Sequence, residues 1–350
     1  MSIITRLANA LTITLAICTG AHAQEALVID GETISPAATL AAAKTEGHLV
    51  HYGAFPADNI RPIHEAFTAD TGVRVDYIRL SSAPLFQRIV SEHQAGALAA
   101  DFIDLTDMLL IADLVKRGIL NVPHKVPSFD AIDATLKEPE GRWYTYINST
   151  TVIAVNTAVI PEADWPTGYK DVLDPKYDGQ LGITILDGGS VLAQYGLMRD
   201  LSPTYWADLK ARNPRLYEGV SPLTTDLARG DLGVAVGPIG ELVLAQMRAG
   251  APVRIIFAKE GVPSFGITGG VAAGAKNPNA ATLFLDWVTS KRGGDAIAKA
   301  YAYGANPASA VPAAEGVEFP SRAALIVYGA ADWQSKFRPY RDEFLALFGK

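Results

Sequence analysis

Apolar positions along this chain recur with two alternating periods. "HLVHYGAF" is an apolar run of strand length, and "NIRPIHEAFTADTG" sets Ile60, Ile63 and Phe67 on one helical face before closing on Gly72. A strand over 73–80 follows, then a helix with Leu85, Phe86, Ile89 and Val90 on its core side. "DFIDL" reads as the next strand and "TDMLLIADLVKRG" as the next helix, while "ATLAAAKTEG" supplies a helix ahead of them all. This βαβα rhythm with short connections predicts an α/β fold whose sheet is mostly parallel and covered on both faces. The texture changes at 121–146, "NVPHKVPSFDAIDATLKEPEGRWYTY", which is rich in proline and charge and reads as a connection between cores. Beyond it "TVIAVN", "LGITI", "RLYE", "LGVAVG" and "VRIIF" are strands separated by helical segments, so two α/β lobes are expected.

Composition narrows the class. The 350 residues, 49% of them hydrophobic, suffice for one large core or two smaller ones. A net charge of -7 leaves no basic footprint for nucleic acid. The opening "MSIITRLANALTITLAICTGAHA" has a positive residue (Arg6), an apolar stretch and the A-x-A end Ala21-His22-Ala23, the pattern of a secretory signal peptide cut after Ala23. Cys18, the single cysteine, leaves with it, and Ile17 before it argues against lipid attachment. The mature chain then has no disulfide, thiolate nucleophile or cysteine-rich zinc site. With no later stretch able to span a bilayer, an exported soluble protein is expected.

Familiar catalytic patterns do not occur. The chain has no H-E-x-x-H, P-loop or G-x-S-x-G; "DGGSVLAQ" comes near the last, but Leu192 stands where its final glycine belongs. His48 and His51, three apart on a strand, point to opposite faces and make a poor metal pair. What recurs is a small polar residue where a strand meets a helix: Ser81-Ser82, Thr106-Asp107, Gly188-Gly189-Ser190 and Gly237-Pro238. Ligands of open α/β sheets bind outside the carboxyl ends of the strands, where helix amino ends favour anionic or polar groups. Ser82, Thr106 or Asp107, and Ser190 each also suit an ordinary helix cap. A helix needs one cap, so Ser81 is the hydroxyl least explained by capping.

From about residue 45 to 310 the order of these pieces resembles a known family. "EAFTADTGVRVDYIRLSSAPLFQRIVSE", "ADFIDLTDMLLIADLVKRGIL", "VIAVNT", "YKDVLDPKYDGQLGI", "LARGDLGVAVG" and "GGVAAGAKNPNAATLFLDWVTSKRGGDAIAKAYAYGANPAS" carry the resemblance. The family is the extracellular solute-binding proteins, family 1, of bacterial ABC importers, in the branch that contains the ferric-iron binders. The resemblance implies a two-lobed type II periplasmic-binding-protein fold, a venus flytrap with crossover hinge strands. It implies a small-molecule solute held between the lobes, transient docking on a membrane ABC permease, a periplasmic monomer and no cofactor. Lobe one would combine 24–130 with 260–310, and lobe two 131–259 with 311–350.

One departure bears on the solute. Iron-binding members carry an adjacent tyrosine pair after the strand matching "LGVAVGP", and here Ile239-Gly240 stands there; their acidic ligand appears as Thr106. No two tyrosines are adjacent anywhere in the chain. Phenolate suits Fe(III), a hard cation, so an organic anion is the expected solute and Fe(III) the alternative. Ser81 and Ser82 are expected to donate to a carboxylate, phosphonate or phosphate ester, helped by Thr106, Gly189, Ser190, Gly237 and Pro238. Arg79 would supply the charge, and Tyr52, Phe55, Trp143 and Tyr146 an apolar wall. An exported hydrolase or lyase on a similar frame, and a sensor for the same solutes, are the competing functions.

Overall fold

The computed structural model describes residues 25–185 and 189–349, and of Ser190 the backbone alone. The expected signal peptide, Gly188 and the Ser190 side chain lie outside the described residues. Among the described residues thirteen strands run β1 (Leu27–Ile29), β2 (Glu32–Ser35), β3 (His48–Gly53), β4 (Arg74–Arg79), β5 (Phe102–Leu105), β6 (Tyr144–Asn156), β7 (Leu181–Thr184), β8 (Arg215–Tyr217), β9 (Val234–Ile239), β10 (Val253–Ile256), β11 (Val262–Val271), β12 (Tyr303–Gly304) and β13 (Leu325–Val327). β3 lies parallel between β4 and β5, and β7 lies parallel between β8 and β9. These two parallel groups are the cores of two α/β lobes.

β6 joins them. Its first half, Tyr144–Thr150, pairs antiparallel with β11, and its second half, from Thr151, pairs antiparallel with β9. All thirteen of its residues are buried. β11 is the second crossing, since its far end pairs with β5 of the first lobe and its near end with β13. The sequence reading placed a connection over 121–146 and a strand at 151–156. The strand in fact begins at Tyr144, because the polar run Asn148–Thr151 is buried pairing backbone and not loop.

The helices follow their apolar spacing. Ala57–Thr71 buries Ile60, Ile63 and Phe67 and ends on Gly72 in the left-handed region at φ 78°. Ser82–Gln94 buries Leu85, Phe86 and Ile89, and Met108–Lys116 buries Met108, Ile111 and Leu114. The later helix Pro278–Thr289 returns to the first lobe. Its first turn donates N–H groups of Asn279 and Ala280 to the Glu46 carboxylate, and its Asp286 accepts from Ser35 Oγ at 2.6 Å. Among the described residues no helix is long and apolar enough to cross a membrane.

Candidate functional site

The carboxyl ends of β3, β4 and β5 face those of β7 and β9 across a cleft of about 130 Å³. The first lobe contributes Ala54–Pro56, Arg79, Ser81, Ser82 and Thr106; the second contributes Thr184, Val191, Gly219–Ser221, Ile239 and Leu242; Phe265 of β11 closes the hinge side. The lobes touch here. A Cβ on Gly189 would come within 2.0 Å of the Thr106 carbonyl oxygen, so only glycine permits this approach.

The two serines divide their tasks differently from the sequence expectation. Ser81, not Ser82, occupies the cap position of its helix, in extended backbone, and its side chain makes no capping bond. Ser82 lies in the first turn, where its Oγ accepts from the Thr106 N–H at 3.0 Å and lies 2.8 Å from Thr106 Oγ1. Two hydroxyls carry two protons, and their mutual bond uses one. The Ser82–Thr106 pair therefore keeps one O–H for a ligand. Asp107 caps the next helix by accepting from the Leu109 N–H at 2.8 Å, which frees Thr106 from that task.

Arg79 is exposed, lines the cleft and takes part in no ion pair among the described residues. Among the described residues lining the cleft it is the sole formally charged one. On the opposite lobe Thr184 is buried, and its Oγ1 has no hydrogen-bond partner. Phe55, Phe265, Val191, Ile239 and Leu242 supply apolar wall.

Other expected residues stand elsewhere. Tyr52 points away from the cleft, where its hydroxyl donates to Glu92 at 3.1 Å and accepts from Arg88 at 3.0 Å. Trp143 packs in the same apolar cluster as Tyr52. Tyr146 is fully buried and donates to Asp104 at 2.6 Å. Asp104 also accepts from His51 Nε2 at 2.6 Å and from the Ala54 N–H at 2.9 Å. The carboxylate accepts the Nε2 proton, and on the other side of the ring His51 Nδ1 shares a hydrogen bond with His64 Nε2 at 3.0 Å. Burial presses the His64 imidazole down to about 2. The network thus pins Ala54, and Tyr77 pins the next residue by donating to the Phe55 carbonyl at 2.7 Å.

Gly237 has φ 88°, and a Cβ there would strike the Gln194 side chain at 1.8 Å. It and the buried Pro238 lie within β9, where the pairing with β6 shifts register, and are not among the residues lining the cleft. Sequence reasoning missed Thr184, Gly219–Ser221, Leu242 and Phe265. Thr184 stands next to last in "LGITI", and Gly219–Ser221 follows "RLYE", so the rule about strand ends, applied to those strands too, reaches them.

Comparisons with known proteins agree with this fold. Residues 98–336 match the family described as bacterial extracellular solute-binding protein. A curated relative, the Fe(3+)-binding periplasmic protein of Serratia marcescens, is 23% identical over 281 residues, 77% of this chain and 82% of that protein. The solved structure of AfuA from Actinobacillus pleuropneumoniae, with exogenous fructose-6-phosphate bound, superimposes with a TM-score of 0.69 at 20% identity, covering 86% of this chain and 98% of that one. A substrate-binding protein of an ABC transporter from Agrobacterium tumefaciens gives 0.73 at 18% identity, covering 88% and 97%. The shared architecture is the type II periplasmic-binding-protein fold, two lobes joined by crossover strands.

Proposed function

We propose that the cleft of this chain, which belongs to the bacterial extracellular solute-binding proteins that serve ABC transporters, captures a small organic anion. The observation that carries this reading is the cleft's charge. Arg79 is the sole formal charge among the described residues lining it, beside the uncommitted Ser81 hydroxyl and the spare proton of the Ser82–Thr106 pair. The apolar side chains opposite suit the organic part of the ligand. The Fe(III) reading draws on the name of the Serratia relative. Against it, the described residues lining the cleft include no phenolate, carboxylate or imidazole.

In this reading the protein binds without chemistry, in place of a hydrolase or lyase. It works as a periplasmic monomer after loss of residues 1–23, without nucleic acid, and docks transiently on a permease once the lobes have closed. Residues 24–130 with 260–310 form the body of one lobe and 151–259 with 311–350 that of the other, while 131–150 lead into the hinge inside β6, where its partner changes at Thr150–Thr151.

A thermal-shift screen at one pH with carboxylates, phosphonates, phosphate esters and Fe(III) tests the reading. An organic anion should raise the melting temperature by mass action. Arg79→Ala should then weaken it by about 1.5–3 kcal/mol, the range for a charge-assisted hydrogen bond. Stabilisation by Fe(III) alone would replace the organic anion with iron.

A further inference from the structure

On β6, β12 pairs with Ile147 and Asn148, whereas β9 pairs from Thr151 onward. Ser149 and Thr150 lie between these partners, one from each lobe. The helix Gly240–Arg248 starts against this interval, so close that a Cβ on Gly240 would stand 2.7 Å from Thr150 Oγ1. Glu241, its next residue, is 3% exposed, and neither carboxyl oxygen has a hydrogen-bond partner among the described residues. The Ser149 hydroxyl, buried beside it, also lacks one, near enough to ease the carboxylate but outside hydrogen-bond geometry.

No cation offsets this group among the described residues. Tyr303 on β12 is the titratable neighbour that feels Glu241, and its hydroxyl is committed to the Pro320 carbonyl at 2.7 Å. Arg322 lies over the Tyr303 ring and donates to the carbonyls of Gly304, Ser309 and Ala310. On β10 Arg254 donates to the Val253 carbonyl, and at the far end of the Glu241 helix Arg248 donates to the Tyr301 hydroxyl. Gly189 brings the second lobe against Thr106 of the first, and we take this arrangement as the closed one.

We propose that Glu241 is a proton-operated control on lobe closure: the neutral carboxyl belongs to the sealed seam, and the carboxylate favours the open form. The inference rests on the reading that closure captures solute, and it adds regulation of that same site. Burial pushes the Glu241 carboxyl up to about 7. Opening draws β9 and its helix away from β12, admits water to Ser149 and Glu241, and returns the carboxyl toward the ordinary value of about 4.3. The closed form therefore holds a proton that the open form releases, and rising pH shifts the equilibrium toward open.

Small-angle X-ray scattering of the mature chain without solute, at pH 5.5 and pH 8, tests this. The ratio of closed to open should fall on the order of tenfold across that interval, and the radius of gyration should rise. Glu241→Gln should remove the dependence; should that variant fail to fold, Glu241→Leu, equally neutral, must show the same flat profile. An unchanging radius in the wild type, or a neutral variant that follows the wild type, overturns the proposal. Neither outcome touches the solute screen at a single pH, whose failure would leave the scattering result standing.

Discussion

Asp104 and Glu241 are both buried carboxyl groups beside the same crossing strand, one served by Tyr146 and the other beside Ser149. Asp104 collects three donors: an imidazole, a phenol and a main-chain amide. Glu241 collects none. The contrast extends to their surroundings, for Thr184 and Gln194 in the second lobe also bury polar atoms without partners. A satisfied network fixes geometry, whereas an unsatisfied one stores a desolvation cost that a conformational change can release. The first lobe is thus a preformed wall that holds Ala54 and Phe55 in place, and the seam and second lobe are the adjustable side.

The sharpest way to break this contrast is Asp104→Ala. It strands His51 and Tyr146 in the core, and urea denaturation should show a loss of about 3–5 kcal/mol, as for a buried pair losing one partner. A loss below 1 kcal/mol would remove Asp104 as the anchor.

Stability against pH comes next in size. A raised carboxyl stabilises the fold fully below its unfolded value near 4.5 and loses that contribution as pH rises through 7. His64, pressed down, contributes above its unfolded value near 6.5 and loses that contribution as pH falls below it. The two slopes oppose between about 4.5 and 6.5, so unfolding free energy should be nearly flat there and then decline. Glu241→Gln should restore about 2 kcal/mol at pH 8 relative to pH 5.5, and His64→Gln about 1 kcal/mol at pH 5.5 relative to pH 8. Urea midpoints at the two pH values check both signs.

The smallest effect sharpens the boundary of the wall. Tyr52→Phe removes the hydrogen bonds to Glu92 and Arg88 and should cost about 1 kcal/mol. Calorimetry should find the affinity for the identified solute unchanged, because the ring faces a helix and not the cleft.

The sequence made the helices at Ala57–Thr71, Ser82–Gln94 and Met108–Lys116 legible because each shows an apolar stripe, as with Ile60, Ile63 and Phe67. It hid the crossing strand because "INSTT" looks like loop, and only the hinge explains why such a run is buried. Ser81, Ser82 and Thr106 were found because strand ends concentrate ligand groups in this architecture. The aromatic wall was harder. His51 and Tyr52 are neighbours on one strand and face opposite sides, so an aromatic residue near a strand end carries no sign of which side meets the cleft. Phe265 and Leu242 reach the site through chain reversals that local pattern does not encode.

The first lobe's apolar core draws on residues from Leu27 to Ala305, and Trp287 and Arg292 bind Asp70 from more than 200 positions away. A ribosome delivering the chain from its amino end supplies the last of that core only after the long second-lobe segment ending near residue 259 has emerged. The half that begins first must therefore finish late, with long loops to close before its contacts repay the entropy. Until then the nascent polypeptide has no completed first lobe.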